Sequence, residues 1–536
     1  MKIFTFDTTL RDGTQGESIS FSVDDKLVIA QKLDELGIDY IEGGWPGSNP
    51  KDKEFFERAK ELKLHHAKLT AFGATRFAKN PVGEDRNVAA LVAAGTPVIS
   101  IFGKSWELHT KRALGITEEE NLTLISETVK YLKDHGKEVV YDAEHFFDGY
   151  LANAAFALRT LEAAQKAGAD VLVLCDTNGG TLTGRLAEIV SEVRKRFDGV
   201  LGIHTHNDSD VAVANTLAAV EQGCTHVQGC MNGYGERCGN ANLSSIIANL
   251  ELKLGHTTVG PEKLTSLSTV ARFIAELANL PLRGDQPFVG HSAFAHKGGV
   301  HVSAVLKDNS TYEHIAPELI GNRQRVLVSD LSGRSNVLYK LKQHGLADRL
   351  SEDSRRELLE RIKEMEYLGY ELEAAEGTFE LLVREALYPG LHFFDVEGYE
   401  VTTKSAGTVG SRSTATVNLR AQDGVHSATA SGHGPVHALD VCLRKCLSAL
   451  YPRISEVRLT DYKVRVLEPK KGSAARVRVL VEWSDHRKSW STVGVSDNVI
   501  EASWSALVDA IRLELMRLTE QDESVERAVE DYCWGV

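Results

Sequence analysis

Val200-Leu201-Gly202-Ile203-His204-Thr205-His206-Asn207-Asp208 is an apolar run that ends in two histidines, and a helical pattern begins just beyond it near Asp210. The run reads as a short buried strand with both histidines at its mouth. Residues i and i+2 of a strand share a face, so the two imidazoles can point the same way, a geometry that suits a borderline divalent ion. Two surface histidines also fall this close by chance, because short motifs match often. The rest of the chain decides between these readings.

Outward from that run, short β-branched or apolar stretches alternate with stretches of helical period over about the first 255 residues. Strands are expected at 2–8, 38–42, 67–72, 98–102, 138–142, 170–175, 201–204 and 226–230. Helices are expected near 24–36, 51–62, 86–95, 118–135, 150–167, 183–196, 210–222 and 242–254. Eight strand-helix units of this size and order predict a closed (β/α)8 TIM barrel. A doubly wound open sheet shares the local pattern. Its glycine fingerprint is missing, because Gly233-Tyr234-Gly235-Glu236-Arg237-Cys238-Gly239 is one residue too long and follows the last strand instead of the first.

A barrel carries its site at the C-terminal ends of the strands, and reactive polar residues do gather there. Asp7 to Gln15 follow strand one, Asp142-Ala143-Glu144-His145 strand five, Asp176 to Gly180 strand six, and Asn232 to Asn242 strand eight. The opposite ends, Glu35-Leu36-Gly37 and Lys166-Ala167-Gly168, are plain helix stops.

Past residue 256 helical stretches dominate, notably 262–279 and 353–386, broken by turn-rich segments. This is read as a helical arm, 257–390, after a barrel of 1–256. The remainder, 391–536, holds an internal repeat of two β-β-β-α units and reads as an α+β regulatory domain. Strand-like runs at 393–401, 415–421 and 427–431 lead into a helix at 435–450; runs at 459–467, 476–483 and 489–495 lead into another at 499–518. A shift of 64 positions superposes Ala438, Cys442, Leu443 and Cys446 on Ala502, Ala506, Leu507 and Ala510, as expected of a pseudo-symmetric pair. Effector binding or dimerisation are the roles open to it.

At 536 residues, two or three domains are expected. A net charge of −14 disfavours nucleic acid and anionic membranes as partners. Seven cysteines without paired spacing fit reduced thiols in a cytoplasmic protein, and the N-terminal stretch runs directly into strand-like sequence with no apolar leader.

Phe6-Asp7-Thr8-Thr9-Leu10-Arg11-Asp12-Gly13-Thr14-Gln15, His204-Thr205-His206-Asn207-Asp208 and Asn232 to Ala241 together resemble the α-isopropylmalate, homocitrate and citramalate synthase family. The resemblance continues through Gly299-Val300-His301 and Leu331-Ser332-Gly333-Arg334-Ser335-Asn336 into the two-copy module. Gly43 to Pro50 and Asp142 to Tyr150 look most like the longer bacterial citramalate synthases. The family implies an acyltransferase that joins acetyl-CoA to a 2-oxo acid in a metal-dependent Claisen condensation, then hydrolyses the thioester. It implies metal ligands at Asp12, His204, His206 and Asn240. One carboxylate and two imidazoles from separate strands also leave coordination positions open for a bidentate substrate. Mn²⁺ or Mg²⁺ head the candidates, with Co²⁺ and Zn²⁺ compatible.

The resemblance further implies Arg11 as a fixed charge at the developing alkoxide, although a salt bridge to a nearby carboxylate is the alternative role. Thr177 is expected on the substrate carboxylate, and Glu144 as substrate orienter or base. His301 and Tyr312, on the arm, are expected in proton transfer, and Gln15 in substrate positioning. Gly233 and Gly235 are expected either near CoA or merely in a tight turn. A homodimer is implied, with isoleucine as a possible effector. Pyruvate is the expected acceptor, with 2-oxoisovalerate and 2-oxoglutarate as alternatives. A lyase of the same superfamily would share the barrel alone, and a metabolite sensor would keep the barrel without its activity.

Overall fold

The computed structural model describes residues 1–327, 336, 339, 341, 349–405, 411–421, 424–484 and 489–533, with the side chains of 520–533 excepted. The chain forms two compact units, Met1–Phe294 with Glu313–Gln324, and Ala295–Tyr312 with Arg325–Val536. These units cut across the arm expected at 257–390.

The first unit is a closed parallel barrel of β1 (Phe4–Asp7), β2 (Tyr40–Gly44), β3 (Lys68–Ala74), β4 (Val98–Lys104), β5 (Glu138–Glu144), β6 (Val171–Asp176), β7 (Val200–Thr205) and β8 (His226–Gly229). Every strand lies within about two residues of its expected position. The ring closes where β1 pairs with β8, Phe4 opposite His226 and Asp7 opposite Gly229. Strands covered on both faces read as near-continuous apolar runs, as in Val171-Leu172-Val173-Leu174, buried throughout. Helices α1 (Val23–Leu36), α2 (Pro50–Ala59), α3 (Arg86–Ala93), α4 (Glu118–Asp134), α5 (Phe146–Lys166), α6 (Thr183–Arg194), α7 (Ala212–Glu221) and α8 (Leu243–Leu252) follow strands of the same number. Sequence sets where they begin: Ser22 and Asp25 form a reciprocal capping box for α1, and Thr117 and Glu120 one for α4.

Two expected helices are each divided. The stretch at 262–279 is Pro261–Leu264 and Leu267–Leu277. The stretch at 353–386 is Glu352–Leu368 and Glu376–Leu387, because Gly369 takes a left-handed φ of 105° and closes the first. Leu331 to Ser335 of the arm motif lie outside the described residues.

The internal repeat is present as read. Phe394–Ser405, Ser411–Ala421 and Gly424–Gly432 form an antiparallel sheet followed by helix Pro435–Leu447. Arg458–Val466, Val477–Ser484 and Ser489–Ser496 form another, followed by a helix that begins at Val499. Both first strands shift register within one residue of the corresponding place, between Val396 and Gly398 and between Leu459 and Asp461. The superposed residues Ala438, Cys442, Leu443 and Cys446 and Ala502, Ala506, Leu507 and Ala510 are all buried in one core. Among the described residues no helix is long and apolar enough to cross a membrane.

Candidate active site

The C-terminal mouth of the barrel holds a cavity of about 230 Å³, lined among others by Arg11, Asp12, Gln15, Trp45, Glu144 and Thr177. Asp12, just past β1, and His204 and His206, at the end of β7, meet there as the one such cluster among the described residues, their ligand atoms within 4.8 Å of one another. The Nε2 atoms of the two histidines are 3.3 Å apart, and Asp12 Oδ2 lies 3.7 Å from His204 Nε2 and 4.0 Å from His206 Nε2. Asn240 joins them through a backbone bridge to His206.

Burial pushes the His204 imidazole down to about 4, with His206 adding repulsion, and burial likewise lowers His206. Both rings are therefore neutral and keep a lone pair. Burial would raise Asp12, but Arg11, the two histidines and Asn240 outweigh it and hold the carboxylate at about 2. Asp12 Oδ1 and Asn240 Oδ1 are buried without a hydrogen-bond partner. Unpaired acceptors beside two bare imidazole nitrogens fit a divalent cation, since an orphaned buried acceptor is otherwise costly. This cluster supports a divalent metal centre.

Arg11 makes the salt bridge named above as its alternative role, and does so with two carboxylates. Its Nε donates to Glu42 Oε2 at 2.6 Å and its Nη1 to Asp12 Oδ2 at 2.9 Å, while the guanidinium carbon stacks 3.7 Å from the centre of the Phe72 ring. Two of five N–H donors are used, and the others remain for a ligand. Glu144 is paired with Lys104. The Thr177 hydroxyl oxygen accepts the His145 backbone N–H at 2.9 Å, so its own proton is left to donate.

The glycine loop has a definite duty. Gly233 and Gly235 hold φ of 75° and 149°, and a Cβ at Gly235 would stand 2.2 Å from Asn240 Nδ2. Their conformation serves to seat Asn240. Arg237, in the same loop, ties three mouth loops together by donating to Asp208 Oδ1 at 2.7 Å and to the Thr177 carbonyl at 2.8 Å. His301 and Tyr312 belong to the second unit, where their rings stack with centroids 4.2 Å apart.

Several residues escaped the sequence reading. Glu42 on β2 holds Arg11, and Gln228 on β8 accepts from His204 Nδ1 at 2.9 Å. The available signal was polarity inside otherwise apolar strands: Glu42 and Gln228 interrupt runs that the core should own. Trp45 is set by a buried pair beneath it, Lys26 Nζ donating to Asp52 Oδ1 at 2.5 Å while Asp52 Oδ2 accepts the Trp45 N–H at 2.9 Å.

Residues 2–271 match the HMGL-like family, residues 288–368 the homocitrate synthase post-HMGL domain-like family, and residues 373–514 the LeuA allosteric (dimerisation) domain. Over 523 residues the sequence is 53% identical to the (R)-citramalate synthase of Aquifex aeolicus, covering 97% of this chain and 99% of that protein. The chain belongs to the (R)-citramalate synthase family. The citramalate synthase of Geobacter sulfurreducens is 53% identical, with 97% and 98% of the two chains covered. A 2-isopropylmalate synthase from Clostridium kluyveri is more distant, at 30% identity over 95% of this chain and 96% of its own. Likeness to the citramalate synthases thus runs through the arm and the two-copy module, where a lyase sharing only the barrel would have no counterpart.

Proposed function

We propose that this enzyme condenses acetyl-CoA with pyruvate and hydrolyses the resulting thioester to (R)-citramalate and CoA, a step toward isoleucine. The observation that carries the proposal is full-length similarity to (R)-citramalate synthases in a chain whose barrel mouth brings Asp12, His204 and His206 together. Bound by these three and the Asn240 carbonyl oxygen, a divalent ion would supply Lewis-acid polarisation of the keto group. Mn²⁺ or Mg²⁺ suits the mixed nitrogen and oxygen donors, as do Co²⁺ and Zn²⁺.

The chain's own groups do the remaining work. The free N–H donors of Arg11 meet the oxygen on which negative charge grows, and the Thr177 hydroxyl donates to the pyruvate carboxylate. Glu144, paired with Lys104, orients the acceptor, and Gln15 closes the rim. The acetyl methyl loses a proton to a base, for which His301 stacked on Tyr312 is the assigned pair. The new carbon-carbon bond forms at the keto carbon, whose oxygen is protonated. Water then attacks the thioester carbonyl, and CoA leaves as its thiol. Residues 373–514, similar to a dimerisation domain, support a homodimer, and isoleucine is the proposed effector of that module.

The Clostridium kluyveri relative favours 2-oxoisovalerate as a second reading of the acceptor. Against it, Trp45, Phe72 and Phe102 pack edge-to-face and stacked with centroids 5.5–5.8 Å apart on the wall of a small cavity. Arg11 is the one arginine or lysine among the described lining residues, which leaves no partner for the far carboxylate of 2-oxoglutarate. Release of free CoA from acetyl-CoA with each of the three oxo acids tests the proposal. Pyruvate is expected to give the highest kcat/KM, and a chelator to abolish release. Preference for 2-oxoisovalerate, or chelator-insensitive turnover, overturns it.

A further inference from the structure

Beneath the imidazole pair, a chain of buried side chains runs across the barrel interior from β7 to β4. His204 Nδ1 lies 2.9 Å from Gln228 Oε1, Gln228 Nε2 donates to Asp142 Oδ1 at 2.9 Å, and Asp142 Oδ2 accepts the Ser100 hydroxyl at 2.7 Å. Ser100 and Gln228 are at most 1% exposed, so water does not compete for these bonds. The chain has a direction. A carboxylate only accepts, so Asp142 draws the amide nitrogen of Gln228 toward itself. The amide oxygen must then face His204, where it can only receive an N–H. His204 is thereby fixed with its proton on Nδ1 and its lone pair on Nε2, the nitrogen that points at His206 Nε2.

We propose that Gln228 is a positioning residue for the metal centre: by holding His204 in the Nδ1–H tautomer and in one ring orientation, it sets the affinity of the site for a divalent cation. The proposal rests on the metal-centre reading of Asp12, His204 and His206. Its physical basis is that a free neutral imidazole divides its population between two tautomers and several ring rotations, whereas the relay leaves one. Without it, part of the population would present N–H to the cation and each binding event would first have to reorder the ring. Partners of this kind are worth about 10- to 100-fold in metal affinity. Gln228 does not line the cavity, so its effect passes through His204.

The test uses the full-length protein, stripped of metal, titrated with Mn²⁺ alone and followed by calorimetry. Gln228→Met keeps the volume and removes both amide bonds; its dissociation constant for Mn²⁺ is expected to rise about 10- to 100-fold. Gln228→Glu faces the Asp142 carboxylate with another and is expected to weaken binding as well. The double variant Gln228→Glu with Asp142→Asn exchanges the two groups, so that a carboxylate again accepts from His204 Nδ1 and an amide again donates to that carboxylate. It is expected to return to within about threefold of the unchanged protein, a rescue that a merely space-filling role would not produce. Unchanged Mn²⁺ affinity in Gln228→Met overturns the inference about Gln228 alone. Should that variant fail to fold, failure of the folded double variant to recover affinity overturns it equally. If the unchanged protein binds no Mn²⁺, the metal-centre reading falls and this inference with it.

Discussion

At the scale of single residues, Arg11 shows how one side chain meets several demands. Glu42 and Asp12 hold it, Phe72 supports its plane, and its remaining donors stay free. Lysine cannot reproduce a planar fork, so Arg11→Lys is expected to lower kcat about 100-fold, with a smaller change in KM for pyruvate, as steady-state kinetics would read. Phe102 stacks on Phe72 and lines the cavity. Phe102→Ala is expected to shift the kcat/KM ratio of 2-oxoisovalerate to pyruvate upward about 10- to 100-fold, the range that one or two methylenes command; an unchanged ratio would remove that ring from acceptor choice. The histidine pair was legible because alternation brings i and i+2 to one face. Its hydrogen-bond partner Gln228, 24 positions away, was not, since nothing local ties a strand glutamine to a neighbouring strand's histidine.

At the scale of elements, the seam between β1 and β8 carries two buried titratable groups with opposite sign. Burial raises Asp7 to about 7, against hydrogen bonds from the Thr9 hydroxyl and backbone. Its contribution to stability is complete below its ordinary 3.8 and is lost as pH rises through about 7. Burial lowers His226, tilted against the rings of Phe6 and Tyr40, to about 4. Its contribution is complete above 6.5 and is lost as pH falls through about 4. The two nearly offset each other across one window. Asp7→Asn should therefore make Tm rise more steeply between pH 4 and 6.5, and His226→Phe should make it fall between pH 4 and 7, measured by thermal unfolding at each pH. Parallel curves for all three proteins would contradict this. The loop after β2 offers a separate test. Removing one member of a buried ion pair costs about 3–5 kcal/mol, so Asp52→Ala should lose that much in chemical denaturation and release the Trp45 N–H. The repeat of three strands and a helix was visible in the sequence because both copies alternate alike. The breaks in the arm helices were not, because helical period persists on both sides of Gly369.

At the scale of the whole molecule, His301 and Tyr312 share a compact unit with the two-copy module, whereas the Asp12, His204 and His206 cluster belongs to the barrel unit. A chain cut at residue 390 would remove the elements against which Glu376–Leu387 of the same unit packs, where the Val493 N–H donates to the Thr378 hydroxyl at 3.0 Å, and so loosen the unit that carries the proposed proton-transfer pair. Such a truncation is expected to abolish CoA release as well as any response to isoleucine; full activity without inhibition would show the module to be dispensable for chemistry. This dependence could not be read from the expected domain divisions, which placed the arm between barrel and module as a separate part.

The sequence by itself determined the barrel, the repeat and which histidines and aspartate form the candidate cluster, because period, turn residues and strand-end chemistry are local properties of the chain. Only the tertiary structure decided which nitrogen of His204 faces Gln228 and which faces His206, what holds Arg11 and why the glycine loop turns as it does. Those depend on contacts such as Gln228 with Asp142, 86 positions apart, and hydrogen-bond direction is settled by the donors and acceptors that folding brings together.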